Sequence, residues 1–244
     1  LDPATGMYLT DTDCALCGND CTVVTFPKAI SVCDLVEAAP ECVMQCLEGW
    51  VDLNEDEVDG CECEFLSADD PPDGIDQNCD GIDGDPSNAI FVSPAGNDIH
   101  PGTPDQPVRT LTMGVQRCKE QAKEHVYAAQ GQYPETVNLG EGIRMFGGFS
   151  PDFSVRDYTL YISTVEAGAA PLPTQVQATI TGFLVGTGAK VTSFEGFTVT
   201  GPYVQEPEVS SYGIYLKDCG GNLMVTDNTV LAGDGGDGED GEDG

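Results

Sequence analysis

The sequence predicts a mostly β protein. A small, disulfide-rich, calcium-binding N-terminal module is followed by a parallel β-helix with a capping helix at its N-terminal end. Three observations predict this. Nine of the eleven cysteines fall within residues 1–88. In the same stretch, oxygen-bearing side chains alternate and run into glycine, in the register of a calcium loop. Beyond residue 88, short strand-like segments recur between glycines and some are partial copies, as a solenoid requires.

At 244 residues the chain can form one large or two ordinary domains with a real core. Its 42 acidic side chains against 9 basic ones give a formal net charge of −33. Nucleic-acid phosphate and anionic membrane both require a basic surface, so neither is an expected partner. No apolar run is long enough for a transmembrane span. No basic and apolar leader follows Leu1, so any signal peptide is expected to be gone already or to lie upstream. Residues 1–88 hold 22 acidic residues and one basic residue, Lys28; residues 89–232 hold 14 and 8; the remaining six acidic residues lie in 233–244. The step in charge and cysteine density near residue 86 sets the expected domains at 1–88, 89–232 and 233–244.

Cysteine density of this kind marks a scaffold in which crosslinks replace a core. Zinc is the rival for Cys14, Cys17 and Cys21, but the zone has no histidine and irregular spacings, which favours disulfides. Nine is odd, so one cysteine is left free or pairs elsewhere. Connectivity is not legible.

Residues 73–85 read DGIDQNCDGIDGD. Asp76, Asn78 and Asp80 occupy alternate positions, Gly81 follows for the sharp turn, Ile82 offers its carbonyl, and Asp83 and Asp85 extend the set. Carboxylates this close repel unless a cation sits among them, so Ca2+ is the expected cofactor. A solvated acidic linker would explain the charge but not the periodicity. A second candidate is DLNEDEVDG at 52–60, with Asp52, Asn54, Asp56, the Val58 carbonyl and Asp59; its sixth position is Glu57 instead of glycine. Asp11 and Asp13 beside Cys14 form a run too short to assign.

The runs GWVDLNEDEVDGCECEF and DGIDQNCDGIDGD resemble the cysteine-rich, metal-binding repeats of large secreted proteins of myxobacteria and their relatives, and the spacing is similar to thrombospondin type 3 repeats. The run AIFVSPAGNDIHPGTPDQPVRTLTMGVQRC, with HVYAAQGQYPETVNLGEGIRMFGGFS after it, resembles the start of a right-handed parallel β-helix of the DUF1565, pectin-lyase-like group. Together these cover about residues 45–160. They imply an extracellular or outer-surface address and a right-handed β-helix; they imply no particular activity.

The residues support the same fold independently. Residues 89–93 form a short apolar strand, and 94–107, rich in Pro, Gly and Asp, form a loop. Leu111, Val115, Cys118 and Ala122 recur at one helical face, opposite Gln116, Arg117, Lys119, Glu120 and Lys123. Such a helix can shield the first rung of a solenoid from edge pairing. Strand-like segments follow at 126–128, 136–139, 143–146, 178–181, 191–200, 213–216 and 223–231. GFTVTG (196–201), NTVLAG (228–233) and TITG (179–182) are partial copies whose closing glycines lie 19 and 32 residues apart. Residues 202–211 read as an insertion, and Asn222 and Asn228 as turn residues that could stack. A β-sandwich would need clearer hairpin signals. The tail repeats glycine at 235, 238, 241 and 244, which suits disorder or an extended glycine-rich packing.

β-Helices include polysaccharide lyases, whose base is Arg or Lys. Arg109, Arg144, Arg156, Lys190 and Lys217 are the candidates, and each has a structural reading; Arg156 is expected to pair with Asp152 or Asp157 across a turn. His100 and His125 read as structural or solvated, and no GxSxG, HExxH or phosphate loop is present. The expectation is a non-enzymatic, calcium-stabilised structural or adhesive protein of the cell surface, self-associating into fibres or binding a surface polysaccharide or protein. The alternative is a carbohydrate-binding or lyase-like β-helix.

Overall fold

Residues 1–70 with 76–81 form one unit, and residues 71–75 with 82–244 form a second. The computed structural model describes residues 8–15, 19–36, 39–167, 176–204 and 209–236.

The described residues of the first unit form three small antiparallel sheets. β1 (Tyr8–Thr10) pairs β2 (Asp13–Ala15). β3 (Thr25–Phe26), β4 (Ala29–Val36) and β5 (Ala39–Cys46) form a sheet with β4 central. β6 (Trp50–Val51) pairs β7 (Cys63–Glu64). Disulfides take the place of a large apolar core: Cys14–Cys33, Cys21–Cys42, Cys46–Cys61 and Cys63–Cys79. Cys14, Cys21 and Cys61 are buried. Each bridge spans 15 to 21 residues, and closing a loop of that size is worth about 3 kcal/mol in the chain-entropy account. Cys17 lies outside the described residues. Gly60 has φ +81°, and a Cβ there would run into the Pro27 carbonyl.

The second unit is a parallel β-helix of about four turns. Its strands are β8 (Ala89–Val92), β9 (His125–Ala129), β10 (Gly131–Tyr133), β11 (Val137–Asn138), β12 (Arg144–Phe149), β13 (Ser163–Glu166), β14 (Val176–Phe183), β15 (Thr192–Glu195), β16 (Phe197–Thr200), β17 (Ser210–Lys217), β18 (Leu223–Thr226) and β19 (Thr229–Leu231). They stack into three parallel sheets: β8-β9-β12-β15-β18, β10-β13-β16-β19 and β11-β14-β17. Register places like on like. Ile90, Val126, Met145, Phe194 and Val225 are successive partners in the first sheet. Tyr133, Val165, Val199 and Val230 are successive partners in the second, and Val137, Ile180 and Ile214 in the third. Most of these rows converge on one core.

The helix α1 (Leu111–Gln121) joins β8 to β9 and lays Leu111, Val115 and Cys118 on that core. Thr110 caps it by accepting from the Met113 N–H, and Glu135 accepts from the amides of Leu111 and Thr112. The helix stops one residue earlier than the apolar spacing suggests: Ala122 is the left-handed cap and is exposed.

Two further expectations are corrected by the register. GFTVTG and NTVLAG are stacked copies, with Thr198, Val199 and Thr200 opposite Thr229, Val230 and Leu231. TITG belongs to β14, in a different sheet; the true counterpart of β16 in the preceding coil is β13. Asn222 and Asn228 do not stack on each other. Asn222 donates to the Gly188 carbonyl; Asn228 donates to Phe194 O and accepts from the Phe197 amide, so each ties the last coil to the one before. Of the tail, only residues 233–236 are described; the glycine repeat beyond them lies outside the described residues.

Candidate metal centre

The loop 76–81 belongs to the first unit, where Cys79 is tied to Cys63 and the amides of Leu66 and Ser67 both donate to Gln77 O. The chain turns through Cys79 and Gly81, both with positive φ. Gly81 at this point matches the glycine demanded by the sixth position of a calcium loop. Asp76 and Asn78 are half-buried and Asp80 is exposed. Asp76 accepts from the amides of Asp80 and Gly81 at 3.3 and 2.9 Å. Asn78 accepts from the Asp80 amide at 2.9 Å and donates from Nδ2 to Asp80 Oδ2 at 3.1 Å.

Asp70 enters this loop from outside the motif. It is buried, accepts from the Gln77 amide at 2.9 Å, and brings a carboxylate oxygen within 4.8 Å of those of Asp76 and Asp80. Three carboxylates at that separation offer oxygen donors of the kind a hard divalent cation takes as ligands. The donor set contains only oxygen, so it fits Ca2+ and not a thiolate- or imidazole-seeking metal. Asp70 lies six residues before Asp76, outside the alternating pattern. The signal that could have found it is the pair Asp69–Asp70 directly before the prolines at 71 and 72.

The other motif residues, Ile82, Asp83 and Asp85, belong to the second unit and have partners there. Ile82 packs beside Phe91, Tyr127, Phe146, Phe149 and Phe153. Asp83 is fully buried and accepts from the amides of Asp73, Gly74 and Arg156 at 3.0, 2.8 and 2.8 Å. Asp85 caps a 3₁₀ turn at Pro86–Asn88, accepting from the amide and hydroxyl of Ser87.

The 52–60 run forms a chain of local turns. Asp52 accepts from the Glu55 amide, Asn54 from Asp56 and Asp56 from Val58, while Asp59 accepts from the Asn54 side-chain amide. Among the described residues the carboxylate trio within 4.8 Å is Asp70, Asp76 and Asp80, and this run contributes none of it. Val58 is strongly exposed. Asp11 accepts from the Cys33 amide. The sulfurs of Cys14, Cys21 and Cys42 also cluster, but all three are disulfide-bonded and offer no thiolate to zinc.

The basic candidates are placed as follows. Arg109 donates from Nε to Gly96 O, beside Asp98, which accepts from the amides of Arg109 and Thr110; the conspicuous Pro-Gly-Asp loop is held by this network. Arg144 lies over the Phe146 ring at 4.8 Å. Lys190 pairs with Glu124 at 2.6 Å, which holds that carboxyl below its usual range. Arg156 does not pair with Asp152 or Asp157. It is buried, donates from Nε to Gly147 O and from Nη1 to Pro72 O, and sets Nη2 2.9 Å from Glu195 Oε1. That last contact falls outside hydrogen-bond geometry and is chiefly Coulombic. Asp152 is taken instead by Ser150 and Ser154, and Asp157 by Thr159.

Comparison of the chain with protein families, curated proteins and solved structures returns no match. The class of protein is therefore defined by its own architecture: a parallel β-solenoid preceded in the chain by a four-disulfide acidic unit.

Proposed function

We propose that this protein is a non-enzymatic, extracellular structural or adhesive module whose disulfide-rich unit is stabilised by calcium. The observation that carries the reading is the convergence of Asp70, Asp76 and Asp80 on one turn closed by a disulfide. A unit with this little apolar core gains stability from any cation that binds its folded form alone, about 2.7 kcal/mol at a hundredfold excess over Kd. Four disulfides are compatible with an oxidising compartment, and no helix among the described residues is long and apolar enough to cross a membrane. The resemblance to secreted myxobacterial repeat proteins and to DUF1565 β-helices is consistent with a surface address. The structural use of Arg156, Arg109 and Lys190 favours this reading over a lyase-like one.

The test is thermal unfolding in oxidising buffer with calcium and with EDTA, on wild type and on Asp70→Asn/Asp80→Asn. The reading expects chelation to lower the wild-type transition and to leave the variant unmoved. Superimposable wild-type curves would remove calcium from the account. Self-association into fibres is the further expectation; a monomeric mass by light scattering in calcium, unchanged by dilution, would count against it.

A further inference from the structure

The sheet β11-β14-β17 has an outward face that nothing described above uses. Its inward positions, Val137 and Ile180, are fully buried, and Ile214 packs on the same core. Facing away are Asn138, Thr181 and Tyr215 in one register row and Phe183 and Lys217 in the next. Phe183 and Tyr215 lie 6.0 Å apart between ring centroids, and Tyr215 and Tyr212 lie 5.5 Å apart. Phe183 is 51% exposed and Tyr212 41%. The three rings form a continuous strip that no described element covers.

An exposed aromatic strip costs solubility and marks a contact surface. Its chemistry narrows the contact. Lys217 is the only charged residue in these three strands, although the whole chain carries −33. A polyanion or anionic membrane is repelled by the molecule and finds only one cation here. What the face offers is ring surface interleaved with an amide, hydroxyls and one ammonium. That is the complement of a neutral sugar, whose C–H faces lie on rings while its hydroxyls meet Asn138, Thr181 and Lys217. The rings are spaced on the scale of a pyranose unit. They are also tilted, by 59° and 55°, so they make a twisted platform and not a flat one. A twisted platform fits a single soluble glycan chain better than a crystalline surface.

We infer that Phe183, Tyr215 and Tyr212 form a non-catalytic binding strip for a neutral, soluble polysaccharide chain. This deepens the adhesive reading by naming the chemistry of what is adhered to, and it rests on that reading only for its biological sense. The strip belongs wholly to the solenoid unit.

The experiment is affinity gel electrophoresis of the full chain through hydroxyethylcellulose, laminarin or xyloglucan, with alginate as the charged control, in calcium and in EDTA. At least one neutral glycan is expected to retard wild type, equally with and without added salt. Phe183→Ala/Tyr215→Ala is expected to weaken retardation roughly tenfold, as loss of two central aromatic contacts does, while melting like wild type. Tyr215→Phe is expected to retain it. Retardation by none of the three neutral glycans, or by alginate alone, or equally in the double variant, overturns the inference. Retardation that survives EDTA while the calcium-dependent melting shift is absent would sink the calcium reading and leave this one standing; the reverse pattern would do the opposite.

Discussion

Replacing Arg156 with methionine probes how the solenoid is held to the segment at 71–75, which belongs to the same unit. The side chain is 4% exposed and its Glu195 partner 19%, so solvent screens little of the interaction. The substitution removes the ion pair at 2.9 Å and leaves the carbonyls of Gly147 and Pro72 without their donors. Breaking a buried pair by removing one partner costs about 3–5 kcal/mol. For a unit of this size each kcal/mol moves the midpoint by about 2–4 °C, so Arg156→Met is expected to lower Tm by roughly 6–20 °C. Differential scanning calorimetry reads the shift directly. Glu195→Gln keeps both carbonyl contacts and is expected to cost less. Arg156→Met/Glu195→Met is expected to be milder than the sum of the two single replacements, because no charge is then stranded. An Arg156→Met protein melting within about 2 °C of wild type would refute the reasoning, since no interaction of that size could then be present.

Gly196 has φ +76°, and a Cβ there would lie 2.8 Å from Arg156 Nη2 and 3.0 Å from Gly147 O; Gly196→Ala is expected to cost about 1–3 kcal/mol in denaturant unfolding. Cys46→Ala/Cys61→Ala opens a 15-residue span and is expected to lose about 3 kcal/mol; an unchanged midpoint for the first unit would contradict the crosslink's role. Burial pushes the Cys118 thiol up to about 12, so iodoacetamide at mildly alkaline pH is expected to label Cys219 and spare Cys118, as peptide mass spectrometry would show. Burial, then the Arg144 charge, holds His125 below its ordinary value of 6.5. The native imidazole is neutral where the unfolded one has taken a proton, so its effect is a loss of stability as pH falls below about 6.5 and none above it. His125→Gln is expected to flatten the stability profile in that window, and an unaltered slope would show that His125 does not contribute.

The solenoid was legible because its cues are local and repeated. Apolar residues between glycines marked the strands, and the 191–200 and 223–231 runs each proved to be two strands broken at a residue with positive φ, Gly196 and Asp227. Such breaks, one residue at Gly196 and two at Asp227 and Asn228, are too brief for periodicity to reveal. The outer aromatic layer of Phe91, Tyr127, Phe146 and Phe149 was missed, although AIFV and HVYAA are apolar on both parities, the pattern of strands covered on both faces. Arg156 was misassigned because nearby carboxylates were favoured, whereas its partner, Glu195, sits in the next coil, and coil register is not written in local sequence. In the acidic stretch the spacing pointed to Asp76, Asp80 and Asp83 alike, whereas the amides that donate to Asp83, one of them 73 residues away at Arg156, depend on the fold and are not carried by spacing. Disulfide density was plain, and connectivity was not, because pairing depends on which strands become neighbours.

The stacked rows carry a consequence for how such a protein can grow. Successive partners in the first sheet, Val126, Met145, Phe194 and Val225, stand 19, 49 and 31 residues apart along the chain. Yet each step along the axis is the same, about 4.8 Å, because hydrogen bonding between neighbouring strands fixes it. Chain length and axial reach are therefore decoupled. Residues added at a corner make the rod thicker and supply new surface, whereas only a complete additional coil makes it longer. The molecule works as a ruler graduated in coils, free to vary its ornament without changing its measure.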